Sequence, residues 1–242
     1  MKKVKLLYFS LTILALISCI TIAHYRSNLH NINEIDVIFK QDQELFLNAE
    51  IVNKLLIQSS DSVFFQQKDM VDLNKIEQFF LDHPMIKNAE LYTVPQGKLS
   101  IEIEEREPLV RIQAEPSFYL DAAVKKIPLS QRYTAQVPLF YGEFNEENMQ
   151  ALIPLISKLS SDTFLASEVI DFQFVDNAFV LGLRSFPFDV VWGQDNNFEH
   201  KAEKLKRFCA YSKQNKDKTF NRIDLTFDNQ VVARHNKGYE KQ

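Results

Sequence analysis

The sequence predicts an α+β protein in three parts: an N-terminal transmembrane helix, a small β-α-α-β-β domain, and a C-terminal mixed α+β domain with a β-sheet and flanking helices. Three observations predict it. An uncharged, mostly apolar stretch of 18 residues runs from Leu6 to Ala23. Between residues 34 and 105, apolar positions recur first at period two, then at helical spacing, then at period two again. Beyond residue 110 the same two periods return in short segments separated by turn residues.

As a helix the first stretch spans about 27 Å at about 1.5 Å per residue, just under the ~30 Å hydrocarbon core of a bilayer. Lys2, Lys3 and Lys5 precede it and only Arg26 follows closely. The positive-inside rule then makes 1–5 a cytoplasmic tail, 6–23 the membrane helix and everything beyond it exported. Two alternatives stay open. A cleaved signal peptide would want a small-residue site after a short apolar core, and none stands out. Leu16-Ile17-Ser18-Cys19 resembles a lipoprotein-processing box with Cys19 acylated, although the apolar run continues through Ile20, Thr21, Ile22 and Ala23. In each case the body is exported, and Cys209, alone there, reads as a buried small hydrophobe.

Residues 24–31 form a polar tether. Ile35, Val37 and Phe39 alternate with Glu34, Asp36 and Ile38 as a strand. Asn48 can cap a helix carrying the stripe Ile51, Val52, Leu55 and Leu56. Asp72 can cap a second, with Leu73, Ile76, Phe79 and Phe80 at helical spacing and Pro84 as its stop. Ile86–Tyr92 is a strand, Pro95-Gln96-Gly97 a turn, and Lys98–Glu105 the returning strand, with Leu99, Ile101 and Ile103 on one face. Each element has one apolar face, so a three-stranded sheet covered by two helices buries them all.

In the second part, Val110–Gln113, Ser117–Leu120 and Val124–Ile127 are short strands. Asn145 can cap a helix carrying Met149, Leu152, Ile153, Ile156 and Leu159, in which Pro154 should cause a kink or a shifted start. Val169–Val175, Ala178–Arg184 and Phe188–Trp192 form a meander. Phe198, Ala202, Leu205 and Cys209 make a helix stripe, with Lys201, Lys204 and Arg207 expected toward solvent. Phe220–Asp228 and Gln230–Arg234 close the chain as strands, and 237–242 is a tail.

The run Asp82-His83-Pro84-Met85-Ile86-Lys87-Asn88-Ala89-Glu90-Leu91, followed by Gly97-Lys98-Leu99-Ser100-Ile101-Glu102-Ile103-Glu104-Glu105-Arg106-Glu107-Pro108-Leu109, resembles a POTRA domain over residues 32–112. A POTRA directly behind a single anchor is similar to the bacterial cell-division family FtsQ, called DivIB in Gram-positive bacteria. Val137-Pro138-Leu139-Phe140-Tyr141-Gly142, the Val191-Trp192-Gly193 to Arg207-Phe208 stretch and Ile223–Asp228 resemble that family's C-terminal domain, here 113–236.

Composition excludes several chemistries. The chain has 242 residues, 45% hydrophobic and 25% charged, as in ordinary folded proteins. Its five glycines fall in none of the phosphate- or dinucleotide-binding loops, and no nucleophile elbow occurs. The five histidines are not at metal-ligand spacing and the two cysteines form no C-x-x-C pair. Setting aside the four basic residues of 1–26 leaves 24 basic and 32 acidic residues, a net −8, which suits no nucleic acid. Glu102, Glu104, Glu105 and Glu107 read as a solvated strand face and its exit rather than two carboxylates opposed across a cleft. No catalytic group, cofactor, metal or small-molecule substrate is predicted.

The functional candidate is the last strand. Ile223, Leu225 and Phe227 alternate with Arg222, Asp224, Thr226 and Asp228. These apolar residues either complete the core or, at a sheet edge, accompany unpaired backbone groups that accept a partner's strand. The resemblance implies the second: a non-enzymatic divisome scaffold in the inner membrane, concentrated at the septum. It would bind FtsB- and FtsL-like bitopic coiled-coil proteins and other divisome proteins. Its partner-binding residues would be Asp224, Leu225, Thr226, Phe227, Asn229, Val231 and Val232. The family usually has tyrosine at position 227 and a basic residue at 226, where this chain has Phe227 and Thr226. The alternative is a POTRA-containing periplasmic chaperone or export lipoprotein acylated at Cys19.

Overall fold

A computed structural model describes residues 11–22, 34–41, 45–59, 73–94, 98–142, 145–194 and 197–235. The expected tail 1–5, tether 24–31, Asp72 cap, 95–97 turn and tail 237–242 lie outside them. Residues 11–22 form helix α1. Among the described residues no helix is long and apolar enough to cross a membrane; the rest of the 6–23 stretch is not described.

The chain divides into two compact units between Glu105 and Arg106. In the first, β1 (Glu34–Phe39), α2 (Ala49–Ser59), α3 (Leu73–Leu81), β2 (Ile86–Val94) and β3 (Lys98–Glu105) follow the expected order. The Asn48 side chain accepts the Ile51 N–H at 2.8 Å and starts α2. The sheet order is β1-β3-β2, with β1 parallel to β3 and β2 antiparallel. A parallel β1–β3 pair needs a crossover, and the two helices supply it. Leu99, Ile101 and Ile103 of the central strand are buried, as are Val52 and Leu56 of α2 and Ile76 and Phe80 of α3.

The second unit holds a nine-stranded sheet in the order β12-β11-β10-β9-β8-β7-β4-β5-β6. Its strands are β4 (Val110–Ile112), β5 (Phe118–Leu120), β6 (Lys126–Pro128), β7 (Leu139–Tyr141), β8 (Val169–Val175), β9 (Ala178–Leu183), β10 (Asp189–Gly193), β11 (Phe220–Asp224) and β12 (Val232–His235). Helices α4 (Glu146–Ser161), α5 (Thr163–Glu168) and α6 (Phe198–Gln214) complete it. Strand β4 corrects the expected boundary at 112, because it pairs with β5 and β7 of this sheet. Pro154 lies exposed inside α4 without moving its start. Met149, Leu152, Ile153, Ile156 and Leu159 of α4 share one core with Phe172, Leu181, Val190, Trp192, Leu205, Cys209 and Ile223.

Candidate docking edge

The C-terminal strands are where the structure departs most from the sequence reading. Strand β11 stops at Asp224 and is no edge. It pairs with β10 on one flank, in parallel, and with β12 on the other, antiparallel. The edge is β12, which has no neighbouring strand on its outer side among the described residues. The reason is local. The Asp224 carboxylate accepts both the N–H of Thr226 (2.9 Å) and its hydroxyl (2.6 Å), an Asx-type turn that bends the chain out of the strand. Residues 225–231 then reverse it, and β12 returns to cover β11.

The predicted site residues fall along this hairpin. Leu225 is fully buried and donates its N–H to Val191 O at 2.9 Å, so it belongs to the core. Asp224 is spent on the turn. Thr226 and Asn229 are exposed, and Val231 is half-buried against the core. Phe227 is 47% exposed and Val232 37%, the first on the loop and the second on the edge strand. The structure thus joins a solvent-facing aromatic, an aliphatic residue and an open strand edge on one hairpin, while Leu225 stands apart as core.

Helix α6 supplies two groups that the sequence reading placed in solvent. Lys201 is only 5% exposed; its ammonium donates to Trp192 O (2.9 Å) and Gln194 O (2.8 Å), gripping the end of β10. Its place was legible: Lys201 lies four residues before Leu205, on the apolar stripe itself. Lys204 is half-buried and donates to the carbonyls of Leu225 (3.1 Å) and Phe227 (2.6 Å), with Asp228 O at 3.5 Å. One turn earlier, His200 Nε2 donates to Asp228 O at 2.7 Å. Lys204 and His200 thus gather the carbonyls of the loop that carries Phe227 and tie it to α6. Gly193 adds a close approach: a Cβ there would lie 2.8 Å from the Thr226 methyl, and its φ of +77° favours glycine.

The two outer edges of this sheet differ in chemistry. Strand β6 offers only Lys126-Ile127-Pro128, and a short edge bearing lysine and proline resists strand addition. Strand β12, Val-Ala-Arg-His, lacks proline.

The acidic cluster is also corrected at one residue. Glu102 and Glu104 do face solvent, near Lys40 and Lys87 respectively. Glu105, expected at an exposed strand exit, is 0% exposed. Its carboxylate accepts the backbone N–H groups of Leu45 (2.8 Å), Phe46 (2.8 Å) and Leu47 (2.7 Å). Gln41 grips the backbone of the same residue, its amide donating to Glu105 O at 2.7 Å and accepting from Glu105 N at 3.2 Å. Among the described residues no cluster of His, Cys, Asp or Glu could hold a metal. The Cys209 thiol is pushed up to about 12 by burial, so it stays protonated at neutral pH.

A β-α-α-β-β unit followed by a mixed sheet with flanking helices is the architecture of a POTRA-bearing protein. Comparison with known families agrees. A POTRA-like domain matches residues 33–104, and the family described as FtsQ/DivIB, C-terminal related, matches residues 107–234. The chain belongs to the FtsQ/DivIB-related family. It is similar to the cell division protein FtsQ of Rhodothermus marinus, 32% identical over 173 residues, which is 63% of this chain and 61% of that protein. The chain thus spans about six tenths of the length of the curated relative it matches.

Proposed function

We propose that this protein is a non-enzymatic, bitopic scaffold of bacterial cell division. Residues 6–23 anchor it in the inner membrane with the N-terminus cytoplasmic, and its two folded units stand on the periplasmic side, concentrated at the septum. It holds FtsB- and FtsL-like coiled-coil proteins, links them to other divisome proteins and so helps control septal peptidoglycan synthesis. The observation that carries the reading is the open flank of β12, with Val232 on it and Phe227 on the adjoining loop. A strand added there gains main-chain hydrogen bonds of about 0.5–1.5 kcal/mol each net. An exposed aromatic beside it is the residue type that dominates interface energies.

The test is co-purification of tagged full-length chain with small bitopic coiled-coil proteins from detergent-solubilised cells. Ala233→Pro, which removes a β12 backbone donor, and Phe227→Asp should each abolish capture, the second costing roughly 2 kcal/mol or more. Unchanged far-ultraviolet circular dichroism would show that the body stays folded. Capture that survives both changes would remove the β12 proposal. Thr226→Pro is the poorer test, because the Thr226 N–H already serves the Asp224 turn.

A further inference from the structure

Residues paired across neighbouring strands share a face of the sheet, and successive residues alternate between faces. Ile223 lies in the core shared with α6, and its partner Ala233 packs against the same core. The flanking pairs, Arg222 with Arg234 and Asp224 with Val232, therefore lie on the opposite face. The register continues inward: Asp189 stands opposite Arg222, and Val191 opposite Asp224. Two rows thus run to the edge on the face away from α6, Asp189–Arg222–Arg234 and Val191–Asp224–Val232.

The first row ends badly for its charges. Arg222 is half-buried and Arg234 exposed, and two like charges directly opposite each other repel. Arg222 has an acid on its inner side in Asp189. Arg234 has the arginine on its inner side and, among the described residues, no strand on its outer side. Neither arginine makes an ion pair among the described residues. An acidic side chain placed beyond Arg234 would restore alternation of sign along the row. The second row ends on an exposed aliphatic side chain, which an apolar neighbour would cover.

Resting on the docking reading of β12, we propose that this edge selects its partner by charge and register. The partner is an extended segment with an acidic residue beside Arg234 and an apolar residue beside Val232, two positions apart, both on the face away from α6. Arg234 supplies the selectivity for sign and Val232 fixes the register, because a slip of one residue would turn both partner side chains to the other face.

The probe is a displayed library of random short linear peptides, panned on immobilised full-length chain in detergent micelles. Arg234→Glu and Ala233→Pro variants are panned in parallel. Wild type should enrich peptides with an acid two positions from an apolar residue, and Ala233→Pro should lose them. Arg234→Glu, an exposed surface change, should enrich the same spacing with a base in place of the acid. Replacing the acid by lysine in a selected peptide should weaken wild-type binding about two- to fivefold and strengthen binding to Arg234→Glu by a similar factor. Binders that need β12 yet show the same charge preference on wild type and Arg234→Glu would overturn the charge rule and leave the docking edge standing. Binders indifferent to both Ala233→Pro and Val232→Asp, or no binders at all, would overturn the docking edge and the charge rule together.

Discussion

Glu105 shows how one side chain can settle a piece of fold. Burying a carboxylate is costly unless it is hydrogen-bonded, and here three backbone amides point at it. Those amides belong to the segment that carries Phe46 and Leu47 into the core just before α2. Glu105→Ala should leave them unpaired and cost roughly 3 kcal/mol or more, with Glu105→Gln costing less because Oε1 alone serves two of the three. Amide hydrogen exchange at Phe46 and Leu47 checks this; a ~3 kcal/mol loss makes it about a hundredfold faster. His83 has the opposite chemistry. Burial holds its pKa below the usual 6.5, and its Nδ1 accepts the Met85 N–H at 3.3 Å. With the folded pKa depressed, the unfolded chain binds the proton first, so stability is full above 6.5 and is lost as pH falls through the lower, folded value. His83→Asn keeps a short acceptor at that site and should flatten this slope, read from urea midpoints across that range.

At the scale of elements, the C-terminal hairpin depends on α6 as much as on strand pairing. Lys204 stands under the loop and ties its carbonyls to the helix. Lys204→Met keeps the aliphatic stem and removes the donors. Exchange of amides 226–229 should quicken, partner capture should fall, and global stability should drop by only about 1 kcal/mol, since the ammonium is half-exposed. Much of this architecture was legible in the sequence. Alternation gave β1, β8, β9 and β10, and the stripe Phe198, Ala202, Leu205, Cys209 gave α6, because a one-faced element must repeat its apolar residues at its own period. Three things were not legible. That β12 and not β11 forms the edge depends on which strand comes back beside which, a long-range fact no local period encodes. The end of β11 depends on Asp224 bonding Thr226, an alternative to extension that the alternating pattern through Phe227 conceals. The burial of Glu105 depends on amides some sixty residues away in sequence.

At the scale of the whole molecule, the question is what covers α1. Every residue of this helix is exposed, including Leu11, Leu14, Leu16, Ile17, Ile20 and Ile22. An apolar surface on all sides of a helix is at odds with water and suited to lipid. Twelve residues make about 18 Å at about 1.5 Å per residue, so a span of ~30 Å needs the flanking apolar residues of 6–23 in the same helix. The anchor reading therefore requires the N-terminal segment to be kept whole, whereas the lipoprotein reading requires cleavage before Cys19 and acylation of its thiol. The two differ in mass, in lipid and in drug response. Chain purified from membranes should still carry the residues that precede Cys19, read by peptide mass spectrometry, carry no palmitate label and migrate identically from globomycin-treated cells. It should also stay in the membrane pellet after an alkaline carbonate wash when Cys19 is changed to serine, because the apolar span does not need the thiol. A mature chain that begins at an acylated Cys19 would replace the spanning helix with a lipid tether. The folded units would still be held at a membrane, but Lys2, Lys3 and Lys5 would no longer fix which side the protein faces.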